Sequence, residues 1–300
     1  MTAKVLVGSD AVGGLQCPIC DADTSLWLRR GTRDLRRCDG CGFLWVPQGV
    51  VVVDGTTIYE QDPPIFFTEG NADYYLDESN LWNAKAKVAW VREFVPVGTE
   101  LIDIGASFGH FTAAARVFWQ VTGLEPSRAA ARWAGEQLGV HLQVGSIYDE
   151  RQDLTGRFDV ATMWDVIEHL PDPSRALESV RRCLKREGTL CLTTPDAGSI
   201  VARLMGRHWH YLDLQQHIAL FDEGNLTRLL EGAGFRIRAI RSFGRIYRVS
   251  YVRERIKYLA RTSVVWRLLG AASWPGLALA PHRLTINLGD VIGIAAEVSS

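Results

Sequence analysis

The hydrophobic rhythm of the chain changes along its length. Residues 1–48 are broken by Gly, Arg and Cys, and residues 49–78 are irregular, with Asp62-Pro63-Pro64 interrupting a cluster of Phe66, Phe67, Tyr74 and Tyr75. From Asn80 the pattern becomes regular. Leu81, Ala84, Val88 and Val91 recur at helical spacing, so Asn80–Phe94 reads as an amphipathic helix ending before Pro96. Short apolar runs then alternate with Ala-rich or amphipathic stretches. Strands are predicted at Glu100–Ile104, Gln120–Leu124, His141–Val144, Phe158–Met163, Thr189–Thr193, Phe235–Ile240 and Val291–Glu297. Helices are predicted at His110–Trp119, Arg128–Leu138, Ser174–Lys185 and from the Asp222 cap to Glu231. Such alternation implies an α/β fold, a doubly wound Rossmann-like and mostly parallel sheet covered on both faces. Ligands bind such sheets beyond the carboxyl ends of the strands, so functional residues are expected just after them.

The pattern divides the chain into a small unit over residues 1–48, a linker and cover over 49–79, a core over 80–245, and residues 246–300 with a helical insert and the last strand. Within the insert, Tyr251–Leu259 and Val264–Leu269 are amphipathic with basic residues, and Trp266 and Trp274 flank apolar positions. It reads either as a cover over the active site or dimer contact, or as an interfacial helix that meets a membrane or a lipid-linked substrate. The most apolar window, Ser263–Pro281, carries Arg267 and is broken by Pro275, so no span is predicted. The composition, 47% hydrophobic and 22% charged with a net charge of -1, is that of an ordinary globular protein. It offers no basic field for nucleic acid, and the Arg-rich stretch Leu28–Arg37 is local. Met1–Asp10 has one Lys and no long apolar core, which does not match a secretory signal, so a cytoplasmic location is expected.

Four of the six cysteines form two pairs, Cys17-Pro-Ile-Cys20 and Cys38-Asp-Gly-Cys41, with seventeen residues between Cys20 and Cys38. Two such knuckles can close a tetrahedral four-cysteine zinc ribbon, and Gly40 and Gly42 suit the tight turn. Four thiolates leave no open coordination position, so Zn²⁺ here would be structural, folding a segment too small to bury a core. Cys183 and Cys191 read as core thiols.

The first core strand closes on Asp103-Ile104-Gly105-Ala106-Ser107-Phe108-Gly109. Gly105 and Gly109 allow a tight turn and close approach of a ligand. About twenty residues on, after the second strand, Glu125 can accept hydrogen bonds from both hydroxyls of a ribose. The Gly-x-Gly-x-x-Gly spacing of a dinucleotide site is absent, and Asp103 would repel a pyrophosphate. A sulfonium cofactor with an amino group suits that acid.

On these residues the chain resembles the class I S-adenosylmethionine-dependent methyltransferases. Leu101-Ile-Asp-Ile-Gly105 with Gly109 is similar to their first motif, Gly123-Leu-Glu125 to the acidic motif, and Phe158–Pro173 to the fourth-strand motif. Thr193-Thr-Pro195 and His217–Phe235 are similar to a subfamily that includes the ubiquinone-biosynthesis O-methyltransferases and many sugar and natural-product enzymes. The resemblance covers roughly residues 70–300 and implies a seven-stranded sheet whose last strand runs antiparallel. It also implies that Gly105, Ala106 and Gly109 line the methionine part of S-adenosylmethionine, that Glu125 holds the ribose, and that Ser146-Ile147 flanks the adenine. The family usually has glycine in place of Ser107, and many relatives have Asp in place of Ser146.

Methyl transfer to a hydroxyl requires alignment of donor and acceptor and removal of a proton. Three readings stand for the loop Asp165–Pro173. His169 is a general base oriented by Asp165 or Glu168; or, as the resemblance suggests, Asp165, Glu168 and His169 hold a divalent metal such as Mg²⁺; or Glu168-His169 caps a turn. Asp165 is also counted among the cofactor-binding residues, and His217 is the second catalytic candidate. Arg207–Tyr211 and His217 form a lid whose histidines and aromatics could recognise a sugar or an aromatic acceptor. The expected reaction is methyl transfer to a small-molecule hydroxyl of a sugar or natural product. The alternatives are a non-catalytic adaptor acting through its zinc ribbon and an enzyme acting on a lipid-linked substrate.

Overall fold

The computed structural model describes residues 15–47, 49, 52–53, 56–57, 77–149, 153–253 and 282–299. Strands β1 (Thr24–Arg30) and β2 (Arg33–Cys38) form an antiparallel hairpin, β3 (Leu44–Trp45) pairs with β2, and β4 (Val52–Val53) pairs with β5 (Thr56–Thr57). Helix α1 (Ser79–Val91) buries Ala84, Val88 and Val91, the stripe visible in its periodicity. The core continues through β6 (Glu100–Ile104), α2 (His110–Ala115), β7 (Gln120–Glu125), α3 (Arg128–Trp133) and β8 (Leu142–Val144). It returns through β9 (Phe158–Trp164), α4 (Pro173–Cys183), β10 (Leu184–Pro195), α5 (Ile200–Met205), β11 (Ala219–Leu220), α6 (Glu223–Gly232) and β12 (Phe235–Ser242). It ends with β13 (Arg245–Arg248), β14 (Arg283–Ile286) and β15 (Val291–Val298).

Seven strands form one sheet in the order β12-β15-β10-β9-β6-β7-β8. Strands β6 to β10 run parallel, and β15 is antiparallel to both β10 and β12. The central strands are buried on both faces, which is why Leu101-Ile102, Val160-Ala161 and Leu190-Cys191-Leu192 read as continuous apolar runs rather than alternations. Strand order reverses between β6 and β9, so a crevice opens beyond their carboxyl ends.

Local departures from the periodic reading have physical causes. The segment expected as a helix to Trp119 leaves α geometry after Ala115, and α3 loosens into a π turn over Ala134–Leu138. Strand β10 starts at Leu184, inside the stretch expected to be helical to Lys185. Leu184 already pairs with Phe158, and the register then slips before Thr189, with Glu187 in the left-handed region at φ 62°. Cys183 and Cys191 are buried, as expected of core thiols.

The N-terminal hairpin does not stand apart from the core. Strand β3 pairs with β11, Trp45 opposite Ala219 and Leu44 opposite Leu220. Leu35 and Val46 pack in one apolar cluster with Trp209, Leu212, Leu214 and Ile218. Of the C-terminal insert, β13 and β14 close an antiparallel ladder at its base and 251–253 are helical, while residues 254–281, with Trp266, Trp274 and the rest of the expected amphipathic stretches, lie outside the described residues. Among the described residues, no helix is long and apolar enough to cross a membrane.

Candidate functional site

The loop after β6 contains three residues in the left-handed region, Gly105 at φ 69°, Ser107 at φ 51° and Gly109 at φ 73°. A Cβ on Gly105 would sit 2.6 Å from Val166 Cγ2, so the glycine is needed for space as well as for conformation. The amides of Gly105 and Ala106 both donate to the Leu124 carbonyl, at 2.9 and 3.0 Å, tying the loop to the end of β7. Ser107 donates its backbone N–H to Glu125 Oε2 at 2.7 Å, and Ser127 donates its own to Oε1 at 2.9 Å. Each carboxylate oxygen therefore has one partner and keeps capacity for a second. Burial pushes the Glu125 carboxyl up to about 7, against the two N–H donors that favour its charge. A buried carboxylate anchored at the carboxyl end of β7, with acceptor capacity left on both oxygens, fits a pair of ribose hydroxyls.

Asp103 lies behind the loop. It is 1% exposed and accepts hydrogen bonds from Thr112 Oγ1 at 2.7 Å and Thr162 Oγ1 at 2.9 Å, so its carboxyl braces α2 against β9. Burial raises it to about 6. Beyond β8, the Ser146 hydroxyl accepts the Tyr148 N–H at 3.3 Å and closes its own turn, and Ile147 packs into the main core.

Beyond β9, the four catalytic candidates separate into two groups. Asp165 sits at φ 57°, with Oδ1 accepting from Thr193 Oγ1 at 3.0 Å and Oδ2 accepting from Arg245 at 3.0 Å. Lys87 Nζ lies 3.7 Å from the same oxygen. Burial alone would raise this carboxyl, but Lys87 and Arg245 outweigh it and hold Asp165 well below the usual carboxylate range. The expectation that the Asp165 side chain orients His169 or joins it on a metal is corrected here: the carboxylate is committed to the two cations. The His169 ring still feels the Asp165 charge, and the Asp165 backbone carbonyl reaches it directly.

The second group is Glu168, His169 and His217, which can each place a ligand atom within 4.8 Å of the others. His169 Nδ1 pairs with the Gln216 carbonyl at 2.9 Å, His217 Nδ1 with the Tyr211 carbonyl at 2.6 Å, and the two rings are 4.9 Å apart. Glu168 is 1% exposed, accepts from Thr194 Oγ1 at 3.0 Å, and is raised to about 7 by burial and by the Asp165 charge. One carboxyl and two imidazoles do not make the oxygen-rich set that suits Mg²⁺, so the expected Mg²⁺ site loses its second acid. Burial lowers both histidines toward the neutral form.

Lys87, Trp164 and Arg245 were not singled out by the sequence. Lys87 reaches across the Trp164 ring, 5.0 Å from its centroid. One signal pointed to it: Lys87 follows Ala84 by three residues on the apolar stripe of α1 and directly precedes Val88. Arg245 carries no such mark, since it meets Asp165 only through the β13–β14 ladder.

At the N-terminal end the four cysteines converge. Cys17 and Cys41 Sγ are 3.7 Å apart and Cys20 and Cys38 Sγ 3.4 Å apart, close to the ~3.8 Å separation implied by tetrahedral Zn–S bonds of ~2.3 Å. The N–H groups of Ile19 and Cys41 point at Cys17 and Cys38 sulfur, at 3.4 and 3.2 Å. The group could hold a metal ion.

Comparison with known proteins matches residues 80–240 to a family described as a methyltransferase domain. A ubiquinone biosynthesis O-methyltransferase of Haemophilus ducreyi is 34% identical over 107 residues, 32% of this chain and 45% of that protein. Its counterpart in Xanthomonas oryzae is 30% identical over 131 residues, 38% of this chain and 55% of that protein. The chain thus spans about half the length of the curated relatives it matches. Among solved structures, an S-adenosylmethionine-dependent methyltransferase of Thermotoga maritima aligns with a TM-score of 0.53 at 19% identity, covering 78% of this chain and 97% of that one. Phosphoethanolamine N-methyltransferase 2 of Haemonchus contortus, solved with S-adenosyl-L-methionine, aligns with a TM-score of 0.53 at 17% identity, covering 91% and 71%. These structures share the fold. With the seven-stranded sheet, the glycine loop and the match over residues 80–240, the chain belongs to the S-adenosylmethionine-dependent methyltransferase-domain family.

Proposed function

We propose that the chain transfers a methyl group from S-adenosylmethionine to a hydroxyl of a small molecule, a sugar or natural product, with His169 as general base. The carrying observation is the pair of features at the sheet's switch point: Glu125, anchored by Ser107 and Ser127, and His169, held in the neighbouring loop by the Gln216 carbonyl. The O-methyltransferase names of the relatives support a hydroxyl acceptor. Glu125 would hold the ribose, and the backbone of Gly105–Gly109 would line the methionine part. When bound, the cofactor supplies an electrophilic methyl group on a sulfonium.

The chain's own residues supply the rest. With Nδ1 paired to a carbonyl, Nδ1 carries the proton of neutral His169 and Nε2 keeps the lone pair that accepts a hydroxyl proton. Burial keeps the ring neutral beforehand, while the Gln216 and Asp165 carbonyls and the Asp165 charge favour the protonated ring afterwards. The four cysteines hold Zn²⁺ as a structural ion, since no ligand position remains for a substrate.

Calorimetry with S-adenosylhomocysteine and a coupled assay over sugar and phenolic acceptors test this reading. His169→Ala is expected to keep S-adenosylhomocysteine affinity and lose turnover by about 10²- to 10⁴-fold. Full activity of that variant removes the base, and no binding by the wild-type chain overturns the methyltransferase reading.

A further inference from the structure

Glu168, His169 and His217 come from two segments that are stitched together. Glu168 and His169 lie on the tight turn Ile167–His169 after β9, and His217 lies on the segment that runs into β11. The Ile218 N–H donates to the Glu168 carbonyl at 2.9 Å, which sets the two backbones side by side. Each of the three residues presents one ligand atom, a carboxylate oxygen or an imidazole nitrogen, within 4.8 Å of the other two. An ion with bonds of about 2.1 Å in a tetrahedral set holds its ligand atoms about 3.4 Å apart, so each side chain needs to close by no more than about 1 Å. Glu168 is buried, whereas both rings are partly exposed, so an ion has a way in from solvent.

The groups behind these three side chains are those that hold ligands in place around an ion. The Gln216 carbonyl pairs with His169 Nδ1 at 2.9 Å, the Tyr211 carbonyl pairs with His217 Nδ1 at 2.6 Å, and Thr194 Oγ1 donates to Glu168 Oε2 at 3.0 Å. Carbonyls behind imidazoles and a hydroxyl behind a carboxylate fix ring orientation and tautomer in metal sites. The donor set then chooses the ion. Mg²⁺ demands oxygen ligands in near-octahedral geometry, and the second acid it would use in this loop, Asp165, is held by Lys87 and Arg245. Two imidazoles and one carboxylate are instead the set that suits Zn²⁺ and neighbouring first-row dications.

We propose that Glu168, His169 and His217 form a site for Zn²⁺ or a like borderline dication, separate from the four-cysteine cluster, and that the bound ion switches His169 off as a base. The second half rests on the reading of His169 given above. Ligation and proton acceptance both draw on an imidazole lone pair, and a protonated ring does not ligate, so the ion and the acceptor proton compete for one side chain. The free concentration of the ion thus sets the fraction of chains with a working base.

The test is equilibrium dialysis of the full chain against buffered free Zn²⁺, with the bound metal measured directly. The expected result is one saturable zinc beyond that held by the four cysteines, which a large excess of Mg²⁺ does not displace. His217→Ala and Glu168→Gln each remove one ligand and are expected to weaken that zinc by roughly tenfold or more, while S-adenosylhomocysteine affinity, which reports correct folding, stays unchanged. No further zinc, a further zinc that neither substitution weakens, or its displacement by Mg²⁺ overturns the site. In the acceptor assay, turnover is expected to fall over the same range of free Zn²⁺ and to return when a chelator lowers it again. Turnover that persists with the site filled overturns the block on His169. A chain that takes up the second zinc but neither binds S-adenosylhomocysteine nor turns over keeps the metal site and overturns the methyltransferase reading.

Discussion

Ser107 occupies a left-handed conformation, φ 51°, that suits glycine. The strain is roughly 1–2 kcal/mol for an L-residue, and glycine's extra freedom in the unfolded chain offsets about 0.5–1 kcal/mol of it. Ser107→Gly is therefore expected to stabilise the fold by up to about 1 kcal/mol in urea denaturation, and Ser107→Val to destabilise it by more than about 1 kcal/mol. The N–H bond to Glu125 is retained in both, so the comparison isolates φ. Glu125 adds a pH dependence. Its carboxyl moves from 4.5 to about 7 on burial, so its stabilising contribution to the ligand-free fold is present below 4.5 and lost as pH rises through 7. Ribose hydroxyls donate to the ionised form, and binding runs the opposite way. S-adenosylhomocysteine affinity should level off above about 7 and fall by roughly tenfold per pH unit below it. Glu125→Gln should bind more weakly at high pH and show no such slope; a slope that survives the substitution assigns the titration to another group.

At the scale of elements, the β3–β11 pairing joins the cysteine-bearing hairpin to the segments that carry Glu168 and His217. The Ile218 N–H donates to the Glu168 carbonyl at 2.9 Å and the Val46 N–H to the Ile218 carbonyl at 2.8 Å, so one short strand is stitched to both sides. Phe43 also meets Phe221 at a tilt, 4.9 Å between centroids, which adds an apolar contact. If the four cysteines hold a metal ion, its loss should release β3 and, with it, the backbone that carries His217. The cofactor loop is tied instead to β6 and β7. Cys38→Ser is thus expected to leave S-adenosylhomocysteine affinity nearly intact and lower turnover on the order of a hundredfold, since misplacing a positioned group by about 1 Å has that effect. Equal loss of both would instead make the hairpin a requirement for the whole fold.

For the molecule as a whole, what could be read in advance was local. The alternation of apolar runs and amphipathic stretches, the glycine loop with Glu125, and the two cysteine knuckles each lie within a short window, where backbone geometry and side-chain period leave few alternatives. They determined the parallel sheet, the cofactor loop and the converging thiols by themselves. What lay beyond them was pairing at long range. The Asp165 carboxylate was expected beside His169 because they are four residues apart, yet Lys87 from α1 and Arg245 from β13 neutralise it, since a buried carboxylate is stable only with compensating charge. The partners that place His169 and His217, the carbonyls of Gln216 and Tyr211, belong to any sequence and so leave no mark in one. The sequence alone thus settled the chemistry of short segments, while the tertiary structure decided which distant charges and donors meet, because burial makes each of them require a partner that the local chain does not contain.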